Sequence, residues 1–275
     1  MTSVNAASSP PTACYLCGAT GFELLVEVEG RKIWRCRVCG LGETESGGLT
    51  PSYDGAYLET LWTGANPSAS EVERAVRAEL PRARRLARSA RGQRLLEIGV
   101  GHGYFLAAAR KRGLECCGLD ISSAAAEFAR RRFGHDVLVT AVEEADLPEG
   151  SFDAIAAWHV LEHLADPRRA LRKAVAWLKP GGVIAVEVPN YESYDARVLG
   201  VEWKGWQPQY HRWHFTPRAL ARLLTETGFA VEQTWSDPSR IARERLKRIP
   251  LVGLFRRILW RCYSSTGIAM IGRRA

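Results

Sequence analysis

The chain has 275 residues, 46% hydrophobic and 25% charged, a composition that supports a sizeable core and excludes a disordered or low-complexity protein. No stretch approaches the ~20 apolar residues of a membrane span, and MTSVNAASSPPTAC lacks the basic-then-apolar pattern of a secretory signal, so a cytoplasmic protein is expected. The formal charge of +8, mostly arginine, permits an anionic partner without specifying one.

Residues 1–13 read as a disordered lead-in. Residues 14–45 carry two C-x-x-C pairs, Cys14/Cys17 and Cys36/Cys39, separated by eighteen residues. This spacing predicts a four-cysteine zinc ribbon, because each pair fits a tight turn and four thiolates complete a tetrahedral shell. Gly18 and Gly40 follow the pairs where a positive φ is needed, and FELLVEVE and KIWRC alternate as strands do. Four ligands close the shell, so the zinc is expected to support folding and not catalysis. Cys116, Cys117 and Cys262 show no such partnership.

Residues 46–92 read as a linker followed by helices, with a break at Pro81 and the arginines of ELPRARRLARSARG on a solvated face. From residue 93, short apolar runs (RLLEIG, CCGLDI, DVLVTA, FDAIAAWH, GGVIAVEV) alternate with helical ones (YFLAAARKRG, AAAEFARRRFG, PRRALRKAVAWLK). That alternation predicts an α/β domain with a mostly parallel sheet. An aromatic segment at 191–216 reads as a lid, in which Trp203, Trp206, Tyr210 and Trp213 form either a stacking wall or lid core. After it, HFTPRALARLLTETG predicts a helix with Thr216 as N-cap and Pro217 as first residue. A basic segment at 239–263, with Leu251, Leu254, Phe255, Ile258 and Leu259 near helical spacing, either packs on the domain or touches a membrane surface; packing is favoured.

The turn after the first core strand is EIGVGHG, residues 97–103. Its glycines allow a ligand close to the backbone at a helix entrance. Tyr104 stands where a dinucleotide loop has its third glycine. Glu97 at the strand end suits a cationic ligand better than a pyrophosphate, and Asp120 ends the next strand where a carboxylate can accept ribose hydroxyls.

The ordered set LLEIGVGHG, GLDIS, EEADLPEGSFDAIAAWHVLEHLADP and LKPGGVIAVEVPN resembles the class I S-adenosylmethionine-dependent methyltransferases over residues 93–190. The resemblance implies a Rossmann-like seven-stranded sheet within residues 93–275, its last two strands (TGFAVEQTW and GIAMIGRRA) forming a reversed hairpin. It also implies that Glu97, Gly99, Gly101 and Gly103 surround the methionine part of the cofactor. Asp120 would take the ribose, Ile121, Val142 and Glu143 the adenine, and Trp158 would approach the sulfonium. The ribbon, the link SYDGAY and the later W…H..HFTP resemble a bacterial polysaccharide and secondary-metabolite subgroup, which implies a small hydroxylated acceptor. Tyr210 departs from that subgroup, where an arginine precedes the first histidine.

Methyl transfer to a hydroxyl needs a base, and His163, His159, His211 and His214 are the candidates; His102 and His135 are read as incidental. HVLEH, residues 159–163, also matches a zinc-peptidase helix motif, but it follows a strand feeding the cofactor crevice. Ubiquinone-pathway methyltransferases carry Glu-x-x-Glu-His here and bind magnesium through it; His159 replaces the first Glu and suits magnesium poorly, which leaves a weak metal site at His159, Glu162 and His163 as an open alternative. Two alternatives stand beside O-methylation. Sugar C-methyltransferases also carry a four-cysteine ribbon, and some ribosomal RNA methyltransferases join a zinc ribbon to this domain. Against the RNA reading, VPNY at 188–191 follows the fifth strand and not the fourth.

Overall fold

The alternation of apolar runs becomes two layers of helix around one sheet in the computed structural model, which describes residues 9–45, 67–247 and 263–275. The core strands are β4 (Arg94–Ile98), β5 (Glu115–Asp120), β6 (Asp136–Val139), β7 (Phe152–Trp158), β8 (Leu178–Pro189), β10 (Phe229–Trp235) and β11 (Gly267–Arg274). They are ordered β10-β11-β8-β7-β4-β5-β6. Pairs from β6 to β8 are parallel, while β11 is antiparallel to both β8 and β10, which is the reversed hairpin expected of the last two strands. β7 and β8 are almost wholly buried, as strands covered on both faces must be.

The helices are α1 (Ala69–Ser89), α2 (Tyr104–Arg110), α3 (Ser123–Phe133), α4 (Pro167–Trp177), α5 (Tyr194–Leu199), α6 (Pro217–Glu226) and α7 (Arg240–Lys247). α6 begins as expected, with Thr216 accepting from Ala219 N–H and Pro217 first. α1 corrects one expectation: it runs through Pro81 without a break. Pro81 is exposed, and the buried stripe Val72, Val76, Ala83 and Leu86 continues on both sides of it. Packing along that stripe outweighs the ~3 kcal/mol that proline costs inside a helix.

The cysteine segment forms β1 (Phe22–Val28), β2 (Arg31–Cys36) and β3 (Gly42–Thr44). Gly18 and Gly40 have φ of 73° and 78°. Each lies on a matching turn, Gly18 N–H donating to the Cys14 carbonyl and Gly40 N–H to that of Cys36. Cys14 and Cys39 Sγ are 3.5 Å apart, as are Cys17 and Cys36 Sγ. All four sulfurs lie within 4.8 Å of one another, an arrangement that fits a tetrahedral zinc site with Zn–S of about 2.3 Å.

This sheet does not stand apart. Its order is β1-β2-β3-β9, the last strand being Trp213–His214 from the aromatic segment, and Cys14, Cys36, Cys39 and Leu41 share a hydrophobic cluster with Trp213, Phe215 and Leu220. Trp203, Trp206 and Trp213 are buried. They are core, and the stacking-wall alternative for them falls away.

Residues 46–66 of the expected linker, residues 1–8 of the lead-in, and 248–262 of the basic segment, with Cys262 and all five of its named apolar residues, lie outside the described residues. The start of that segment packs: Ser239 is buried, donates to Asp195 on α5 and caps α7. Among the described residues no helix is long and apolar enough to cross a membrane.

Candidate active site

The carboxyl ends of β4, β5 and β7 open into a cleft of about 880 Å³. Eleven of the thirteen residues expected to bind cofactor or act in catalysis line it: Glu97, Gly99, Gly101, Asp120, Ile121, Val142, Glu143, Trp158, His159, His163 and His211. Gly103 stands one residue from the lining as the N-cap of α2.

Glu97, next to last in β4, is buried, and its Oε2 has no hydrogen-bond partner. Burial drives its pKa well above the carboxylate range, Glu79 and Asp120 add to that, and Arg82 opposes it. The chain then turns through Gly99, whose φ of 74° and a Cβ that would fall 2.5 Å from Val160 Cγ2 leave only glycine. At Gly101, φ 51°, a Cβ would meet nothing: the backbone there faces open cleft. Asp120 holds this turn in place. Its carboxylate accepts from Gly101 N–H and Ser122 N–H, each at 2.8 Å. Burial raises its pKa and these two donors oppose the rise. Ile121, 55% exposed, presents an apolar face to the same cleft.

Across the cleft, HVLEH is a turn and not a helix, so the peptidase geometry is absent. His159 opens it with φ 56°, and its backbone N–H donates to the Glu187 carbonyl on β8. Its ring lies between two carboxylates, Nδ1 3.2 Å from Glu162 Oε1 and Nε2 3.5 Å from Glu187 Oε1. The side chain keeps 41% of its exposure, and against what desolvation remains the two carboxylates win and push its pKa up to about 10. His159 is therefore an imidazolium at neutral pH. With no lone pair it cannot take a proton, which corrects its candidacy as base.

His163 and His211 differ. His163 Nδ1 is 3.1 Å from the Tyr210 carbonyl and His211 Nδ1 is 3.0 Å from the Gly205 carbonyl. A carbonyl only accepts, so in both rings Nδ1 carries the proton and Nε2 the lone pair. Burial lowers both pKa values, that of His211 further because His163 and His214 stand nearby. The rings meet edge to face, centroids 4.7 Å apart. Glu162 is fully buried with Oε2 unpartnered, and it falls with His163 and His211 into one cluster of three potential metal ligands, which His159 does not join.

His214 is corrected outright. It sits on β9, is 3% exposed, bonds Thr44 Oγ1 at 2.8 Å and is absent from the cleft wall. The sequence reading also missed three charged residues on that wall or behind it. Arg82 of α1 binds Glu79 at 3.1 Å and Glu187 at 2.7 Å, and lies 5.2 Å over the Trp158 ring. The signal was available in Glu79, which falls on the apolar stripe 72/76/83/86 at helical spacing; a charge on such a stripe needs a buried partner.

The depressed histidines give the protein an acid limit. Burial holds His135 near pKa 4 and His214 near 3. The unfolded chain takes up these protons below about pH 6.5 while the folded one does not, so the share of stability set by these two histidines falls as pH drops from 6.5 toward 3 and is level above, where the raised His159 acts in the opposite sense and lowers stability as pH climbs toward 10. The His214 share is read as a difference: denaturant midpoints measured from about pH 6.5 to 4 should fall less steeply in H214Q than in the wild type.

The model for the family described as methyltransferase domain matches residues 69–234, more than half of the chain. Among curated proteins, the chain is similar to the ubiquinone biosynthesis O-methyltransferase of Nitrobacter winogradskyi, 32% identical over 153 residues, which are 52% of this chain and 58% of that one. It is also similar to the protein of that name from Alkalilimnicola ehrlichii, 35% identical over 120 residues, 41% and 49% of the two chains. The matches thus span 58% and 49% of those relatives' own lengths. A solved SAM-dependent methyltransferase from Archaeoglobus fulgidus shares the fold, with a TM-score of 0.55 at 22% identity over 72% of this chain and 94% of that one. With the strand order and the glycine turn, these matches place the chain in the methyltransferase domain family, as a class I S-adenosylmethionine-dependent methyltransferase.

Proposed function

We propose that the protein methylates a hydroxyl of a small molecule, a sugar, glycolipid or secondary metabolite, at the cleft between the glycine turn and the 159–163 turn. The observation that carries this reading is His163: its ring lines the cleft wall beside Glu162 and His211, and the Tyr210 carbonyl 3.1 Å from Nδ1 fixes the tautomer that puts the basic lone pair on Nε2. The names of the O-methyltransferase relatives support the same acceptor atom.

The residues present fit the cofactor. Glu97 Oε2 and Trp158 Nε1 are buried polar atoms without partners on the wall, Gly101 leaves its backbone open, and Ile121 and Val142 supply apolar surface. When bound, S-adenosylmethionine supplies a methyl group already activated on a sulfonium. Glu97 would pair with the cofactor's ammonium, and Asp120, which keeps lone pairs beyond its two backbone bonds, would take the ribose hydroxyls. Ile121, Val142 and Glu143 would border the adenine. Gly99 and Gly103 shape the turn, and Trp158 closes the methyl-transfer end. His163 accepts the hydroxyl proton at Nε2 as the acceptor oxygen attacks in line, and His211 lines the same side. His159, held as a cation between Glu162 and Glu187, orients the turn. We infer in addition that Cys14, Cys17, Cys36 and Cys39 hold a structural zinc.

Incubation with methyl-labelled cofactor and a panel of phenols, catechols and sugars tests the reading; label appearing as an O-methyl product supports it, and label on nitrogen, carbon or RNA alone overturns it. Glu97 gives a second check. A carboxyl with a raised pKa loses its proton when a cation binds beside it, so cofactor affinity should rise with pH across the range in which Glu97 titrates. Calorimetry in buffers of different ionisation heat should detect proton release in the wild type and none in E97Q.

A further inference from the structure

A chain of hydrogen bonds joins the four-cysteine sheet to the acceptor side of the cleft. Thr44, the last residue of β3, comes five positions after Cys39 and is 1% exposed. Its N–H donates to the Arg212 carbonyl at 2.9 Å, and its hydroxyl donates to the His211 carbonyl at 2.7 Å. A hydroxyl has one proton, so the 2.8 Å contact with His214 Nε2 is one in which the ring donates, and His214 is thereby fixed as the neutral Nε2–H form. β3 and β9 pair through Gly42 with His214 and Glu43 with Trp213, and Arg212 bonds Glu43 at 3.4 Å.

From β9 the connection continues inward. The N–H groups of Arg212 and Trp213 both donate to the Glu162 carbonyl, at 2.9 and 3.1 Å, and Trp213 Nε1 donates to the Leu164 carbonyl at 2.8 Å. Glu162, His163 and His211 are thus all fixed, by backbone, to the segment that Thr44 grips. The cofactor side stands on β4 and β5, in the other sheet.

We propose that Thr44 is a positioning residue for methyl transfer: from the edge of the cysteine ribbon it sets His211 and, through β9, the 159–163 turn, so that the ribbon governs the acceptor half of the site and leaves the cofactor half alone. This rests on the reading of His163 and His211 as facing the acceptor. It gives the ribbon a role beyond stability, because the strand pair β3–β9 carries the acceptor-side histidines. Valine at 44 keeps the shape and removes the hydroxyl, leaving the His211 carbonyl and His214 N–H without their partner; serine restores both bonds.

The test uses the full-length zinc-loaded chain as wild type, T44V and T44S, with metal content, calorimetric cofactor affinity, kcat, and NMR of ring-labelled histidine in which H211Q assigns His211. T44V is expected to keep one zinc per chain and a cofactor Kd within about twofold, to lose about 10- to 100-fold in kcat, and to shift the His211 resonances, with T44S recovering both. An unchanged kcat or unchanged His211 resonances in T44V overturns the proposal, as does a parallel loss of cofactor affinity, a T44S as impaired as T44V, or a T44V chain that cannot be recovered folded. If the wild type methylates no hydroxyl, the functional reading fails on its own, while the His211 resonances and the cofactor affinity still decide on Thr44.

Discussion

Alanine at Asp120 is expected to weaken S-adenosylmethionine binding about 100-fold, some 3 kcal/mol, with little change in folding of the four-cysteine sheet. Two effects combine. The carboxylate would lose its bond to the ribose, and the Gly101 and Ser122 N–H groups would lose the acceptor that holds the glycine turn against the end of β5. Hydrogen bonds to a charged group contribute about 1.5–3 kcal/mol each, and a turn that loosens gives up preorganisation as well. Calorimetry measures the loss directly. D120N should fall on the same side, because its amide keeps one oxygen but turns an N–H toward backbone donors. A D120A chain that bound the cofactor as tightly as the wild type would remove Asp120 from the site.

The second large effect concerns the opposite wall. H163Q is expected to lower kcat by about 10²–10⁴-fold, the range of a lost general base, while cofactor affinity stays within about twofold. Glutamine keeps a donor that can reach the Tyr210 carbonyl but has no basic nitrogen. The pH profile carries the sign. Burial lowers the His163 pKa, and the neutral form is the one that accepts a proton, so activity should hold on the alkaline side and fall only below the ordinary imidazole value. In H163Q that acidic limb should vanish from what activity remains. H159Q should behave otherwise: it removes a cation between two carboxylates, leaving Glu162 and Glu187 facing each other, and so should disturb the turn and the stability together.

Much of this site could be read from the chain because its parts are local. The glycine turn, Glu97, Asp120 and the 159–163 turn each adjoin the end of an apolar strand, and strand ends are where an open parallel sheet gathers its ligands. The cysteine pairs were equally legible, their spacing being set by the two turns that carry them. What stayed hidden was non-local. β9 is two residues long and pairs with β3 from about 170 positions away, so no periodicity announces it. His214 looked like a member of the histidine set because His211 is; the strand between them turns one ring into the cleft and the other into the core. The charge on His159 depends on Glu187 from the next strand, and the Arg82–Glu187 pair joins α1 to β8, so single-segment reading placed Arg82 in solvent with Arg84, Arg85 and Arg88, which are exposed as expected.

The most direct measurement supplies the zinc-loaded protein with cofactor carrying a carbon-13 methyl group, in the presence of a catechol and sugar panel, and follows that carbon by NMR alongside release of S-adenosylhomocysteine. The expected result is a new signal in the methoxyl region in the wild type, lost in D120A through cofactor binding and in H163Q through rate. Release of S-adenosylhomocysteine with the label on nitrogen or carbon, or an undiminished methoxyl signal in H163Q, would contradict oxygen methylation with His163 as base.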